Sequence, residues 1–309
     1  MDQPDKLPEQ SWKAVVELAQ PKEVEGYLID EIFKALGARA DSLLRAWLGP
    51  FFTPLVAGFA RQAADFDANV ARLGFQKSAQ DWLQKWIPGL QLVGEQHLPS
   101  QGSLLIAANH PGTFDGLSIA AAVPRQDLKI IAAANPFFRA LPNTRDYFVY
   151  ATRDAYVRMA TLRSALRHLQ SGGALLIFPS GRLDPDPLHF KAAARQALEH
   201  WSASLNFLLK KAPLARLTLA INSGFVAAEY LQNPFVRIRS SDEGRQKLAE
   251  TLQVIHQVVF NHRISSRPSV IFSEPIPAAQ FMSNPEDIQA QILAIASCLM
   301  DTTPLGGVG

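Results

Sequence analysis

The sequence predicts an α/β fold: a mixed, largely parallel sheet flanked by helices and preceded by a small helical N-terminal domain. Three observations lead there. Short, nearly uncharged strand-like runs such as SLLIAAN, ALLIFPSG and LTLAIN alternate with helix-like runs such as YVRMATLRSALRHLQ, the order that builds parallel sheets through helical crossovers. Residues 11–86 instead carry helical signals. The chain has 309 residues, 48% of them hydrophobic and 19% charged, enough to bury a sizeable core in one large or two unequal domains.

Taken in order, the opening MDQPDKLPEQSW is polar and lacks the charged-then-apolar run of a signal peptide. WKAVVELA, VEGYLIDEIFKALGARADSLLRAWL and ARQAADFDANVARLGFQKSAQDWLQKW follow, with Leu28, Ile32, Phe33 and Leu36 at helical spacing. Within this part, Ala46–Ala60 is the longest uncharged stretch, interrupted by Pro50 and Pro54. It is too short to span a bilayer and reads as a kinked core element or a segment lying against a membrane surface. IPG at 87–89 is the breaker that divides a helical domain, 1–86, from a catalytic α/β domain, 87–309.

Beyond it, LQLVGEQHL, SLLIAAN, LKIIAAA and YFVYATR read as strands, and GLSIAAAV as a helix. YVRMATLRSALRHLQ is a helix with Met159, Leu162, Leu166 and Leu169 on one face, closed by Gly172 and Gly173. ALLIFPSG is a buried strand delivering a turn, and ARQALEHWSASLNFLLKK a helix. LTLAIN and PSVIFSEPI are strands, EDIQAQILAIASCLMD is a closing helix, and TTPLGGVG a frayed tail. The single cysteine, Cys298, excludes an intrachain disulfide framework and reads as a buried thiol. A net charge of +2 gives no case for nucleic acid. These facts fit a cytoplasmic protein, with peripheral contact on the inner face of a membrane if Ala46–Ala60 serves that end.

Three strand ends carry polar groups of reactive kinds, where ligands gather in such sheets. Asn109-His110-Pro111-Gly112-Thr113-Phe114-Asp115 sets a histidine and an aspartate five positions apart in an uncharged stretch. They suit a base and the carboxylate that fixes its tautomer, or a satisfied core pair; as metal ligands they lack a third. YFVYATRD ends on Arg153, and FPSGRLDPD holds a turn bounded by Pro179 and Gly181, followed by Arg182. From 139 to 182 there are seven arginines (139, 145, 153, 158, 163, 167, 182) against Asp146 and Asp154, a local excess suited to a phosphorylated or anionic-lipid substrate. Arg158, Arg163 and Arg167 fall on the solvated face of their helix. Ser180 lacks the preceding glycine of a hydrolase nucleophile elbow. His97, His168, His189, His200, His256 and His262 have no motif around them.

The three blocks in this order resemble the glycerolipid acyltransferase family of glycerol-3-phosphate and lysophosphatidate acyltransferases, over roughly residues 86–280. The resemblance implies that His110 is the general base and Asp115 its orienting partner. It implies that Arg153 and Arg182 hold the acceptor phosphate while Ser180 and Gly181 shape the acceptor pocket. The acyl donor would be a thioester on coenzyme A or acyl carrier protein, with no metal and no further cofactor. The acceptor would be glycerol 3-phosphate or a lysophospholipid. PSGRLDPDP is similar to the third block of soluble plastid-type glycerol-3-phosphate acyltransferases, which also carry a helical N-terminal domain. Here Asp184 and Asp186 stand where that block has a second basic residue, and IIAAANPFF lacks the family's lysine. A lipid-binding protein of the same fold that no longer catalyses is the competing class.

Overall fold

In the computed structural model, which describes residues 43–152, 154–260 and 267–302 together with Ile29, two helices precede a mixed eight-stranded sheet. Helices α1 (Leu43–Leu73) and α2 (Phe75–Trp86) lead into β1 (Gln91–Val93) and β2 (Leu104–Ala108). There follow α3 (Asp115–Ala122), β3 (Leu128–Ala133), α4 (Pro136–Arg139), β4 (Phe148–Ala151), α5 (Ala155–Gln170) and β5 (Ala174–Ile177). Next come α6 (Lys191–Ala197), α7 (Ser204–Lys211), β6 (Arg216–Ser223), α8 (Ala228–Leu231), α9 (Pro234–Arg237) and α10 (Asp242–Phe260). β7 (Ser269–Phe272), β8 (Ile276–Pro277), α11 (Ala278–Phe281) and α12 (Ile288–Asp301) complete it. The helical runs expected at 12–19 and through most of 24–42, and the tail from 303, lie outside the described residues.

The strands lie in the order β1-β7-β6-β2-β5-β3-β4, with β8 on β6. Pairs β2–β5, β2–β6, β3–β5, β3–β4 and β1–β7 are parallel, while β7 and β8 run antiparallel to β6. The sheet is therefore mixed and largely parallel, as the alternation of elements predicts. Every residue of β2 and of β5 is buried, because helices cover both faces.

Side chains alternate between those faces. Leu104, Ile106 and Ala108 of β2 join Phe66, Val70, Phe75, Leu83 and Trp86 of α1 and α2. Leu105 and Ala107 join Ala165 and Leu169 of α5, Leu205 and Leu209 of α7, and Ile288 and Ile292 of α12. The second half of α1 and all of α2 thus share one core with the sheet. Asp67 of α1 ties this layer to the turn before β4: its carboxylate accepts the Thr144 N–H and hydroxyl at 2.8 and 2.7 Å and the Asn143 side-chain amide at 2.8 Å.

The structure places Ala46–Ala60 and corrects several other local expectations. Ala46–Ala60 lies within the continuous helix α1, with Pro50 and Pro54 both exposed and Trp47 85% exposed, while Val56 turns inward. No described helix is long and apolar enough to cross a membrane. The first strand stops at Val93 because Gly94 takes φ +82, and a Cβ there would meet the Phe272 carbonyl oxygen at 2.5 Å. The run 194–211 breaks into α6 and α7 at buried Trp201, and Ser202 donates its backbone N–H to the Pro179 carbonyl. On α5 the inward line is Thr161, Ala165 and Leu169, with Leu162 and Leu166 at its edge and Met159 exposed. Cys298 is exposed, not buried. The inner face of α12 runs through Ile292, Ala296 and Met300, and position 298 points about 200° away from 296.

Candidate active site

The carboxyl ends of β2, β5 and β6 meet where the chain leaves the sheet. Asn109, 2% exposed, locks the first of these ends. Its amide donates to the Asn222 carbonyl at 2.9 Å, its Oδ1 accepts the Asn222 backbone N–H, and the Asn222 amide donates to its carbonyl at 2.8 Å. The side chains thus supply hydrogen bonds where the β-ladder runs out.

Residues 110–116 then fold around a single carboxylate. Asp115, the first residue of α3 and 1% exposed, accepts His110 Nδ1–H at 2.8 Å and the Gly112 N–H at 3.2 Å on Oδ2. Its Oδ1 accepts the Gly116 N–H at 2.6 Å. A carboxylate at a helix N-terminus is stabilised by the exposed N–H groups there. Because the carboxylate only accepts, Nδ1 carries the proton and the neutral ring keeps its lone pair on Nε2. Among the described residues Nε2 has no partner, and the side chain is 35% exposed. The ring stacks on Phe178 from the third block, with centroids 4.5 Å apart.

The third block latches onto the first. The Asp184 N–H donates to the His110 carbonyl at 2.8 Å, and Asp184 Oδ2 accepts the His110 N–H at 2.9 Å. The Ser180 hydroxyl lies 3.0 Å from both Asp184 Oδ2 and the Arg182 carbonyl. Gly181 takes φ +64 and closes a turn by donating to the Phe178 carbonyl. Asp186, fully buried, accepts the Gly224, Phe225 and Leu188 N–H groups at 2.8–2.9 Å. The two acids in the place of a basic residue are therefore internal anchors of the loop.

Helix α10, which carries no sequence signal in the reading above, supplies the remaining wall. Gln246 donates to the Pro111 and Asp184 carbonyls, each at 2.8 Å. Glu250 accepts the Thr113 hydroxyl at 2.6 Å, and the Thr113 N–H. Burial works against a charged His110, but the Asp115 carboxylate, helped by Glu250 and Asp184, outweighs it and pushes the imidazole up to about 9. Burial also raises Asp184 and Glu250 above the ordinary carboxylate range.

Of the residues expected from sequence, His110, Asp115, Ser180, Gly181 and Arg182 converge on these loops. Arg153 lies outside the described residues. The Arg182 side chain is exposed and has no partner among the described residues. Arg158, Arg163 and Arg167 are exposed on α5 as expected. Arg139 lies over the Tyr150 ring, 5.2 Å from its centroid. Among the described residues, no group of three or more His, Cys, Asp or Glu side chains is arranged to hold a metal ion.

Residues 89–214 match the protein family described as Acyltransferase. That match covers about two fifths of the chain. Uncharacterized proteins of Mycobacterium tuberculosis (strain ATCC 25618 / H37Rv) and Mycobacterium bovis are each 32% identical over 142 residues, 41% of this chain and 38% of theirs. One of Mycobacterium leprae is 31% identical over 142 residues and 37% of its length. The chain thus spans under two fifths of these relatives. The crystal structure of the 1-acyl-sn-glycerophosphate (LPA) acyltransferase PlsC from Thermotoga maritima superposes with a TM-score of 0.43 at 15% identity, over 92% of this chain and 99% of that one. The matched residues include His110, Asp115, Ser180, Arg182 and Asp184 and end before α10.

Proposed function

We propose that the protein transfers a fatty acyl group from an acyl thioester, on coenzyme A or acyl carrier protein, to a hydroxyl of glycerol 3-phosphate or a lysophospholipid. The observation that carries this reading is the His110–Asp115 pair: a buried carboxylate 2.8 Å from Nδ1 leaves Nε2 as the lone-pair nitrogen of a partly exposed ring.

In this reaction Nε2 takes the proton of the acceptor hydroxyl while its oxygen attacks the thioester carbonyl carbon. The tetrahedral oxyanion collapses with cleavage of the C–S bond, and the imidazolium returns the proton to the departing thiolate. Asp115 stabilises the imidazolium formed on the way. The exposed guanidinium of Arg182, two residues beyond Ser180, is suited to grip an acceptor phosphate, and Arg153 shares that role. Ser180 and Gly181 shape the loop that presents it.

The reading includes peripheral contact with a membrane, where an amphipathic product must go. In support, Trp47 is 85% exposed on α1, and Phe235 and Ile238 are 73% and 78% exposed beside Arg237. The test is thiol release from palmitoyl-CoA and from palmitoyl-acyl carrier protein, with glycerol 3-phosphate, lysophosphatidate and other lysophospholipids as acceptors. Acceptor-dependent release that disappears in His110→Ala is expected. No such release with any donor and acceptor pair overturns the reading.

A further inference from the structure

The carboxylate nearest the His110 loop other than Asp115 and Asp184 comes from α10, beyond the 89–214 match. Beside its core-facing Leu248 and Ala249, one line of that helix is polar: Gln246, Glu250, Gln253 and Gln257 follow at three- and four-residue spacing. The glutamines are 1%, 1% and 0% exposed and serve as neutral clamps on loop backbone. Gln246 accepts the Asp186 N–H at 2.8 Å besides holding the Pro111 and Asp184 carbonyls. Gln253 accepts the Ala227 N–H and donates to the Phe225 carbonyl. Gln257 donates to the Trp86 carbonyl at 3.1 Å.

Position 250 performs the same kind of clamping on Thr113, yet it is an acid. An amide oxygen would accept the Thr113 N–H and hydroxyl as the glutamines accept their donors, and even a half-buried carboxylate costs more to desolvate than an amide. The need of Thr113 for an acceptor therefore does not explain the charge. What distinguishes this place on the stripe is its neighbour: Glu250 stands against the turn between His110 and Asp115. A Cβ on Gly112 would come within 3.4 Å of Glu250 Oε1 and 3.0 Å of the Phe225 side chain. Gly112 is in turn the residue whose N–H is bound to Asp115.

We propose that Glu250 is a positioning residue for acyl transfer, clamping the Thr113 turn so that His110 stays closed on Asp115 and setting its negative charge beside the imidazole. This role rests on the acyl-transfer reading above. The charged groups facing His110 are Asp115 on its own loop, Asp184 from the third block and Glu250 from α10. Those facing Glu250 are His110 and Asp115. Glu250 is thus the long-range member of the acidic set, and it reaches the ring without touching the reacting atoms.

Two full-length variants separate clamp from charge. Glu250→Ala loses both, and kcat falls by about 10- to 100-fold, the scale of a small misplacement of a catalytic group, with the KM for palmitoyl-CoA nearly unchanged. Glu250→Gln keeps the acceptor for Thr113. It recovers most of that loss at alkaline pH, and the acid limb of its kcat/KM profile moves to lower pH because the imidazole loses a nearby anion. The His110 ring titration, followed by NMR and assigned through its loss in His110→Asn, moves the same way. An unshifted titration and profile in Glu250→Gln, or full activity in Glu250→Ala, overturns the proposal. If Glu250→Ala fails to fold, Glu250→Gln decides alone. A wild type inert with every donor and acceptor removes acyl transfer, and with it this role, while the ring titration still reports the coupling itself.

Discussion

Replacing Asp115 with asparagine strikes the pair at its centre, and the hydrogen bonds around it say what must happen. Oδ2 accepts from His110 and Gly112, and Oδ1 accepts from Gly116. All three partners are donors, whereas asparagine offers one acceptor oxygen and one NH2 group. With its NH2 toward Gly116, a buried N–H is orphaned at a cost of about 1–3 kcal/mol. With its NH2 toward His110, Nδ1 must accept, the proton moves to Nε2, and the base is lost. The electrostatic consequence is separate. Asp115 is the largest force holding the imidazole up to about 9 against burial, so its removal lets the ring titrate near or below its ordinary 6.5.

At pH 7 the wild-type ring is then in its basic form only about 1% of the time, and that fraction grows about tenfold per pH unit. Asp115→Asn should lower plateau kcat/KM by ~10²–10⁴. Its acid limb should also move down by at least about two and a half pH units. The wild-type to variant ratio therefore widens steeply between pH 7 and 9.5. Initial rates of acceptor-dependent thiol release across pH 6–10 read this directly. A ratio independent of pH, or an unshifted acid limb, refutes the assignment of Asp115 as the partner that governs His110.

Four further outcomes are expected. A histidine whose folded-state pKa is raised gives stability that is complete below about 6.5 and lost as pH rises through about 9. Discounted for its partly exposed ring, this is worth about 1–2 kcal/mol. Melting temperature should therefore fall over that window, and His110→Asn should flatten the slope in a scan at fixed ionic strength. Arg182→Ala should raise the acceptor KM by about tenfold with little change in kcat, since phosphate is held in ground and transition states alike; an unchanged KM means another group grips the phosphate. Asn109→Ala should cost about 1–3 kcal/mol in urea unfolding, because it strands the Asn222 N–H in a fully buried place. Gly94→Ala combines φ +82 with a Cβ 2.5 Å from the Phe272 carbonyl, and a loss of at least about 2 kcal/mol should appear in the same experiment.

The sheet and its helical layers were legible because their signals are local. Runs such as LLIAA and ALLI are apolar throughout, which a strand covered on both faces requires, and the glycines after α5 mark its end with φ +90 at Gly172. His110 and Asp115 were legible too, since five residues of chain bring a strand end and the first turn of the next helix into contact. Legibility failed where the buried line that reaches the site is not apolar. Helix α10 buries Gln246, Gln253 and Gln257, so a search for periodic hydrophobic residues passes over it. The string QKLAETLQVIHQ, read for polar residues at three- and four-residue spacing, was the available signal.

The sequence by itself thus determined the α/β class, the alternation of elements and the His110–Asp115 pair, because each depends on neighbours in the chain. Tertiary structure alone decided what stands around that pair. Asp184 and Asp186, which in sequence stand near the missing second basic residue, prove to be buried anchors, one on the His110 backbone and one on the Gly224 turn. Glu250, 137 residues from Thr113, reaches the site only because α10 folds back across the strand ends. The proton affinity of an imidazole depends on every charge within a few ångströms, and chain order carries no record of that distance.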